Sequence, residues 1–335
     1  MGNRLADQYG RTLRLLGVNR SASHYACTTG PDTFDGPVDD AAVEAMRSWA
    51  ITAVRVSLNE QCWLGVNGFP FGRSSADYRR DIVDYVNRLT AAGLVVIVDL
   101  HWNAPGSERA AATRGVTDPL KPMADRDHAP AFWRSVATTF EPNRAVLFDL
   151  FNEPFPGLND AVDPNATDEA WRCVRDGGVC AGVGFVAAGM QELVDAVRST
   201  GARNPILVAG PQYAGVLDRW LAYRPNDPLG QLIASIHIYG PPPHNTACST
   251  PECWSAQIEP LAREVPVVIG EMGDMDCSSG VVNPLMDFAD ANGVSYLGWA
   301  WVTDDCAAEP SLISNYDGTP TAYGVAVREH FLRNR

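Results

Sequence analysis

Short apolar, β-branched runs alternate with amphipathic stretches eight times along the chain. The apolar runs have the length of strands and predict them at Leu13–Asn19, Ala53–Leu58, Leu94–Trp102, Ala145–Asn152, Pro205–Gly210, Ile233–Tyr239, Val265–Glu271 and Ser295–Val302. Apolar residues at helical spacing predict helices between them, at Val38–Ala50, Ala76–Ala92, Ala131–Phe140, Phe185–Thr200, Val216–Tyr223, Trp254–Glu264, Pro284–Ala291 and Tyr323–Leu332.

This alternation predicts a parallel sheet with helices on both faces, hence an α/β fold. Eight strand–helix units fit a closed (β/α)8 TIM barrel forming a single domain over residues 1–335. The competing fold is an open, doubly wound sheet. Its Gly-x-Gly-x-x-Gly fingerprint does not follow the first strand, where the sequence reads GVNRSASHY, so we expect the barrel.

Polar and aromatic residues concentrate at the carboxyl ends of the predicted strands, whereas the strand starts carry Val, Leu, Ile and Ala. In a barrel these ends meet at one mouth, where active sites lie. The fourth strand ends in Asn152-Glu153-Pro154, and the proline cannot continue a ladder. The candidate site residues are Arg55, His101, Trp102, Asn152, Glu153, His237, Tyr239, Glu271, Trp299 and Trp301.

Composition narrows the ligand class. The net charge of -14 disfavours nucleic acid and anionic membranes as partners, and no apolar run is long enough to cross a bilayer. Neutral, hydroxyl-rich carbohydrate remains the expected partner. The sequence lacks the HExxH metal motif, and we expect no metal and no cofactor. It also lacks the GxSxG nucleophile elbow, which argues against a Ser-His-Asp hydrolase.

The strand-end residues resemble those of glycoside hydrolase family 5, the cellulase-like family of clan A. The motifs FNEP after the fourth strand and IGEMG at the seventh are specific, and the match covers nearly the whole chain in barrel order. The resemblance implies retaining, two-glutamate hydrolysis of β-glycosidic bonds in plant-type polysaccharides or glycosides, with β-glucan or cellulose the first expectation. It implies Glu153 as acid/base and Glu271 as nucleophile.

This chemistry explains the residue types. A retaining enzyme places its two carboxyl groups about 5–5.5 Å apart. Glu271 must stay ionised, which Arg55 and Tyr239 would favour, whereas Glu153 must hold a proton, with His237 as its expected neighbour. Asn152 suits the sugar 2-hydroxyl, and aromatic rings suit pyranose faces. A non-catalytic carbohydrate-binding barrel is the alternative, but such a protein should have lost one glutamate.

Eight cysteines, an even number, follow strands in loop-like settings and indicate a secreted, disulfide-bonded protein whose signal peptide has been removed. We expect a monomer. Neighbouring cysteines should pair as Cys27–Cys62, Cys173–Cys180, Cys248–Cys253 and Cys277–Cys306. The acidic loops Gly273–Cys277 and Thr303–Cys306 lack EF-hand spacing, so solvated acids are favoured over a calcium site.

Two long loops bear on the mode of attack. The segment Phe155–Gly184 follows the fourth strand, and GPPPHNTACSTPEC, with three consecutive prolines, follows the sixth. Loops of this length at the mouth would wall off one end of a groove. They favour a pocket for chain ends or small glycosides, as in an exo-acting or diglycosidase-type enzyme, whereas the family resemblance favours endo-acting hydrolysis.

Overall fold

The computed structural model describes residues 2–68, 72–107, 120–157, 165–240, 246–306 and 309–334. Its strands are β1 (Leu5–Ala6), β2 (Thr12–Leu13), β3 (Leu16–Arg20), β4 (Ala53–Asn59), β5 (Val95–Trp102), β6 (Val146–Asp149), β7 (Gly177–Val179), β8 (Val186–Ala188), β9 (Ile206–Ala209), β10 (Leu232–Gly240), β11 (Val267–Asp274), β12 (Ser295–Gly298), β13 (Ile313–Asn315) and β14 (Thr319–Pro320).

Eight parallel strands close into a barrel in the order β3-β4-β5-β6-β9-β10-β11-β12, with β12 pairing back onto β3. These strands correspond to the eight apolar runs, so the predicted (β/α)8 barrel is confirmed. Each strand is buried on both faces, which explains why the runs are continuously apolar rather than alternating.

The helices are α1 (Ala26–Thr29), α2 (Asp40–Ser48), α3 (Glu60–Leu64), α4 (Ser75–Ala91), α5 (Ala129–Phe140), α6 (Asp168–Asp176), α7 (Met190–Arg198), α8 (Trp220–Tyr223), α9 (Pro251–Cys253), α10 (Glu259–Ala262), α11 (Val282–Asn292) and α12 (Ala322–Arg333). A π-helical turn, Trp254–Ile258, joins α9 to α10. The helix predicted at Val216–Tyr223 shrinks to the four residues of α8.

Three antiparallel hairpins, β1–β2, β7–β8 and β13–β14, lie outside the barrel and were not predicted. The prediction of a helix from Phe185 is wrong at its start, because Val186–Ala188 pairs with Gly177–Val179. Gly177 allows this pairing: it has φ 66°, and a Cβ there would lie 2.4 Å from the carbonyl oxygen of Ala187. The helix itself begins only at Met190.

The lower half of the barrel interior is apolar. One buried residue from or just before each barrel strand contributes to a single cluster, consisting of Leu15, Ala53, Ile97, Leu147, Leu207, Ile233, Val268 and Leu297. Side chains alternate across a strand, so the next inward positions lie two residues further on. Four of those positions carry polar side chains towards the mouth: Arg55 after Ala53, Asp99 after Ile97, Asp149 after Leu147 and Ser235 after Ile233.

A bulge in β11 shifts the register at the mouth. Ile236 faces Ile269, but His237 faces Glu271, so Gly270 is the extra residue. A Cβ on Gly270 would lie 3.1 Å from Nε2 of His237, which explains why the smallest residue precedes Glu271. The bulge therefore brings Glu271 opposite His237.

The four disulfides join the predicted partners: Cys27–Cys62, Cys173–Cys180, Cys248–Cys253 and Cys277–Cys306. Two of them tie together loops that follow adjacent barrel strands, β3 with β4 and β11 with β12. Among the described residues, no helix combines the length and apolar character needed to traverse a bilayer.

Candidate active site

Arg55, at the centre of the upper barrel interior, is 1% exposed and contacts residues from four other strands or their ends. Its guanidinium donates to Oε1 of Glu271 at 2.6 Å, Oδ2 of Asp149 at 3.0 Å, Oδ1 of Asn152 at 2.8 Å and Oδ1 of Asn19 at 3.1 Å. It also lies 3.2 Å from Oδ2 of Asp99. A buried cation so surrounded both braces the barrel and sets the local potential.

Glu271 is held from both sides and is 3% exposed. Besides the bond from Arg55, its Oε2 accepts a hydrogen bond from the Tyr239 hydroxyl at 2.6 Å. Both contacts favour the ionised carboxylate. Arg55 and Tyr239 thus lie beside Glu271 as the sequence predicted.

Glu153 has a different environment. Its Oε1 lies 2.9 Å from Nδ1 of His237, and the same nitrogen lies 3.5 Å from Oε2 of Glu271. The two glutamates and His237 each offer a ligand atom, and these atoms lie within 4.8 Å of one another. Although 118 positions separate Glu153 and Glu271 in sequence, the barrel brings their carboxylates together across its mouth.

Hydrogen bonds and neighbouring charges distinguish the two carboxyl groups. Burial raises the pKa of Glu153 to about 8, which Arg55 only partly opposes. Burial also raises the pKa of Glu271, but His237, Arg55 and the Tyr239 hydrogen bond oppose that shift. Because the direct bonds from Arg55 and Tyr239 go to Glu271 alone, Glu271 ionises first and Glu153 keeps its proton. The contacts therefore favour a carboxylate at Glu271 and a carboxylic acid at Glu153.

Two further acids balance the charge of Arg55. Burial raises the pKa of Asp99 and of Asp149 to about 6 each, with Arg55 opposing. For Arg55, burial works against the charge, but Asp99, Asp149 and Glu271 outweigh it and raise its pKa. Arg55 therefore stays charged while its partners titrate.

A row of rings lies beside these acids. His101, held by a 2.8 Å hydrogen bond to Asp99, stacks on Trp299 with ring centres 5.6 Å apart. His24 lies 4.2 Å from His101 on its other side and 4.8 Å from Trp102. Trp102 and Trp299 are 7% and 9% exposed. The Trp299 indole donates to Oε2 of Glu309 at 2.9 Å, which fixes the ring.

Trp301 does not join this row. It is fully buried and packs edge-to-face against Trp49, with ring centres 4.9 Å apart. In a continuing strand, positions 299 and 301 would share a face, but β12 ends at Gly298, and Trp301 lies in the protein core while Trp299 stays at the mouth. The expectation that Trp301 contacts substrate is therefore corrected: it is a packing residue.

Sequence reasoning missed several neighbours of the two glutamates. Asn19, Asp149, His24 and Glu309 were not predicted. Asn19 and Asp149 had a usable signal, because they sit on strands at inward positions, four residues after Leu15 and two residues after Leu147. His24 and Glu309 lie in loops, where no periodicity identifies them.

The metal-binding capacity of this site is modest. Glu153, His237 and Glu271 form a three-ligand cluster, but the Arg55 guanidinium, 2.6 Å from Glu271, opposes a cation there.

The acidic segment Gly273–Cys277 does not expose all its carboxylates to solvent. Asp274, the buried last residue of β11, accepts hydrogen bonds from the Ser278 hydroxyl and the Val281 N–H, both at 3.0 Å. That carboxylate therefore shapes its own loop.

The chain is similar to known carbohydrate-active proteins. Residues 7–305 match the family model described as cellulase, glycosyl hydrolase family 5. The chain is 22% identical over 294 residues to "Beta-mannanase/endoglucanase A" of Caldicellulosiruptor saccharolyticus, covering 85% of this chain and 18% of that protein. It is 22% identical over 315 residues to an "Endoglucanase" of Halalkalibacter akibai, covering 88% of this chain and 34% of that protein. It thus spans at most about a third of the length of these two relatives.

Solved structures agree on the fold. A β-glucanase of Saccharophagus degradans superposes with a TM-score of 0.67 at 18% identity, covering 100% of this chain and 92% of that one. At this identity the likeness establishes the barrel architecture alone. The family match, in contrast, extends over nearly the whole sequence and includes both glutamate motifs. The chain belongs to glycosyl hydrolase family 5.

Proposed function

We propose that the protein is a retaining β-glycoside hydrolase in which Glu271 is the nucleophile and Glu153 the acid/base. The observation that carries the proposal is the separation of at most 4.8 Å between carboxylate oxygens of the two residues. Retaining glycosidases place their carboxyl groups about 5–5.5 Å apart, whereas inverting enzymes need about 6.5–9.5 Å to admit a water.

In the first step Glu271 attacks the anomeric carbon while Glu153 protonates the departing glycosidic oxygen. The carbon–oxygen bond to the leaving group breaks as the bond to Glu271 forms, and an alcohol leaves. Arg55 and Tyr239 hold Glu271 in place and ionised. Arg55 also fixes Oδ1 of Asn152, which leaves the amide N–H to donate to the sugar 2-hydroxyl.

In the second step Glu153, now a carboxylate, takes a proton from water, and the hydroxide attacks the anomeric carbon of the glycosyl-enzyme. Glu271 leaves as a carboxylate, and the product keeps its original configuration. His237, 2.9 Å from Glu153 and fully buried, keeps the carboxyl oriented through both steps. The cycle closes without any external oxidant or reductant.

The proposed substrates are β-linked plant polysaccharides, with glucan and mannan the two candidates. The names of the relatives support both, since one is a "Beta-mannanase/endoglucanase" and another an "Endoglucanase". We propose endo-acting cleavage by a monomer, and we propose that the protein is secreted, which the four disulfides support. The loops predicted to wall off a pocket include residues 158–164 and 241–245, which lie outside the described residues.

One assay tests the proposal and selects the substrate. Soluble β-glucan, β-mannan and xylan are incubated with the wild type and with Glu271→Gln, and viscosity and reducing ends are followed together. We expect a rapid viscosity drop with few reducing ends on glucan or mannan, and no change with the variant. Release of reducing ends without loss of viscosity would support the exo-acting alternative, and inactivity on every glycoside would overturn the proposal.

A further inference from the structure

The turn after β9 contains three consecutive residues in the left-handed backbone region. Gln212, Tyr213 and Ala214 have φ values of 59°, 58° and 57°, and none is glycine. L-residues avoid this region because Cβ crowds the following carbonyl oxygen. Elsewhere among the described residues, non-glycine residues with positive φ occur singly. Such conformations persist where the surroundings hold them, and they cluster at functional sites.

The surroundings of this turn are the exits of two neighbouring strands. In the barrel β9 lies between β6, which leads into Glu153, and β10, which carries His237. The Tyr213 N–H donates to the Pro154 carbonyl at 3.0 Å, and the Ala214 carbonyl accepts from the His237 N–H at 3.0 Å. The turn thus bonds on one side to the residue after Glu153 and on the other to His237.

Further contacts complete a ring around the acid/base. The Tyr213 ring stacks on Phe155 with centres 4.3 Å apart and planes inclined by 23°. His237 closes the ring through its 2.9 Å contact with Glu153. Ala214 is fully buried, so its backbone has no freedom to relax into solvent. Rotation about φ of Ala214 moves its own carbonyl, so the bond to His237 depends on the left-handed conformation.

We infer that the left-handed turn 212–214 is a positioning element that holds Glu153 and His237 in register for proton transfer to the leaving group. The catalytic consequence rests on the proposed function, whereas the geometric claim is independent of turnover. Gln212, Tyr213 and Ala214 act through Glu153 and His237 and need not touch the reacting atoms.

The test replaces Ala214 with proline, whose ring fixes φ near -65° and so abolishes the left-handed conformation. The matched control is Ala50→Pro. Ala50 also has positive φ, at 60°, but follows α2 on the opposite, helix-to-strand face of the barrel. Its N–H donates to the Arg47 carbonyl at 2.9 Å, so the control loses a hydrogen bond as well. Ala214→Gly, which tolerates positive φ, serves as the conservative rescue.

We expect Ala214→Pro to lower kcat/KM on cello- or manno-oligosaccharides about a hundredfold, but to spare kcat/KM on dinitrophenyl glycosides, because kcat/KM reports the first step, in which only proton delivery is impaired. Ala50→Pro and Ala214→Gly should keep the wild-type ratio of activity on oligosaccharides to activity on dinitrophenyl glycosides. Equal losses on both substrate types, or no loss, would overturn the inference. If Ala214→Pro does not fold, Tyr213→Gly replaces it, with about a tenfold selective loss expected from the missing ring stack.

A second measurement needs no turnover. Carbon-13 NMR titration of Glu153 reports its environment, in which burial raises the pKa, Arg55 and Asp99 act on its charge, and His237 contacts Oε1. In Ala214→Pro the Glu153 pKa should fall towards ordinary carboxyl values, while Ala50→Pro leaves it unchanged. An unchanged pKa in Ala214→Pro contradicts the positioning role. A shifted pKa in a protein that cleaves no glycoside supports the positioning role and refutes the proposed function instead.

Discussion

The lower and upper halves of the barrel interior use the same strands for opposite purposes. Below, eight apolar side chains, one associated with each strand, fill the interior. Above, the inward positions carry Arg55 with Asp99, Asp149 and Glu271, which are paired but costly to bury. The lower layer provides stability, while the upper layer gives up stability to hold charges in position. Substitutions in the two layers should therefore separate activity from stability.

The largest effect is expected at the upper layer. Glu271→Gln should reduce kcat at least about 10⁴-fold, because the nucleophile is lost. The thermal midpoint should hold or rise, since burial raises the pKa of this carboxyl and thus penalises its charge. Steady-state kinetics and calorimetry check both halves. A folded variant with lower stability and retained activity would reverse the assignment of the two layers.

Removal of the acid should have a smaller, substrate-dependent effect. Glu153→Ala should lower kcat about 10²- to 10⁴-fold on natural glycosides, the range that general acid catalysis contributes. For glycosides with activated leaving groups, the rate of the first step should fall much less. Azide should restore turnover in the second step. Kinetics with leaving groups of graded acidity measure this. An equal fall in rate for every leaving group in the series would exclude Glu153 as the acid.

The lower layer should show the converse behaviour. Leu207 is fully buried in the apolar cluster, and Leu207→Ala should destabilise the fold by about 2–5 kcal/mol through the cavity it leaves. The folded variant should keep the wild-type kcat. Leu221→Ala is the matched control, because Leu221, on α8, is 44% exposed and should lose little stability. Urea unfolding monitored by fluorescence gives both free energies.

The pH dependence follows from the raised pKa of Glu153, about 8. Activity should fall about tenfold per pH unit above pH 8, as the acid loses its proton. Folded Glu153 binds its proton more tightly than an unfolded glutamate. Its contribution to stability is therefore complete below the unfolded pKa, near 4.5, and is lost as the pH rises through about 8. Glu153→Gln should flatten that part of the stability profile, which thermal melts across the pH range would show.

The smallest effect concerns the loops rather than either layer. The Cys173–Cys180 disulfide closes a loop with a sequence separation of 7, compared with 35 for Cys27–Cys62. The chain-entropy relation gives the shorter loop about 1 kcal/mol less stabilisation. Serine substitution of each pair, followed by denaturant unfolding, should reproduce this order. A larger loss at the shorter loop would mean that native contacts, not chain entropy, dominate.

The sequence was sufficient to predict the barrel because hydrophobic period and strand-end polarity are local properties. Polar residues towards the ends of strands and the resemblance to the family together predicted the site residues Glu153, Glu271, Arg55, Tyr239 and His237. The β7–β8 hairpin escaped prediction because each strand has only three residues and the pairing depends on Gly177. Trp301 was misassigned because β12 ends at Gly298, so strand alternation does not extend to position 301.

Three features of the site required the structure itself. The bulge at Gly270, which sets Glu271 opposite His237, has no local sequence signature apart from the glycine. The order in which the two glutamates ionise depends on which carboxyl Arg55 reaches. The left-handed turn at 212–214 consists of Gln, Tyr and Ala, none of which favours positive φ, so no residue type there indicates the turn.

The stereochemistry of the first product tests the paired glutamates most directly. Proton NMR of a β-linked oligosaccharide, recorded within the first minutes of hydrolysis, resolves the two anomers before mutarotation mixes them. Carboxylates within 4.8 Å of each other predict that the β-anomer forms first. Initial release of the α-anomer would mean that water attacks directly, and would contradict the role of Glu271 as nucleophile.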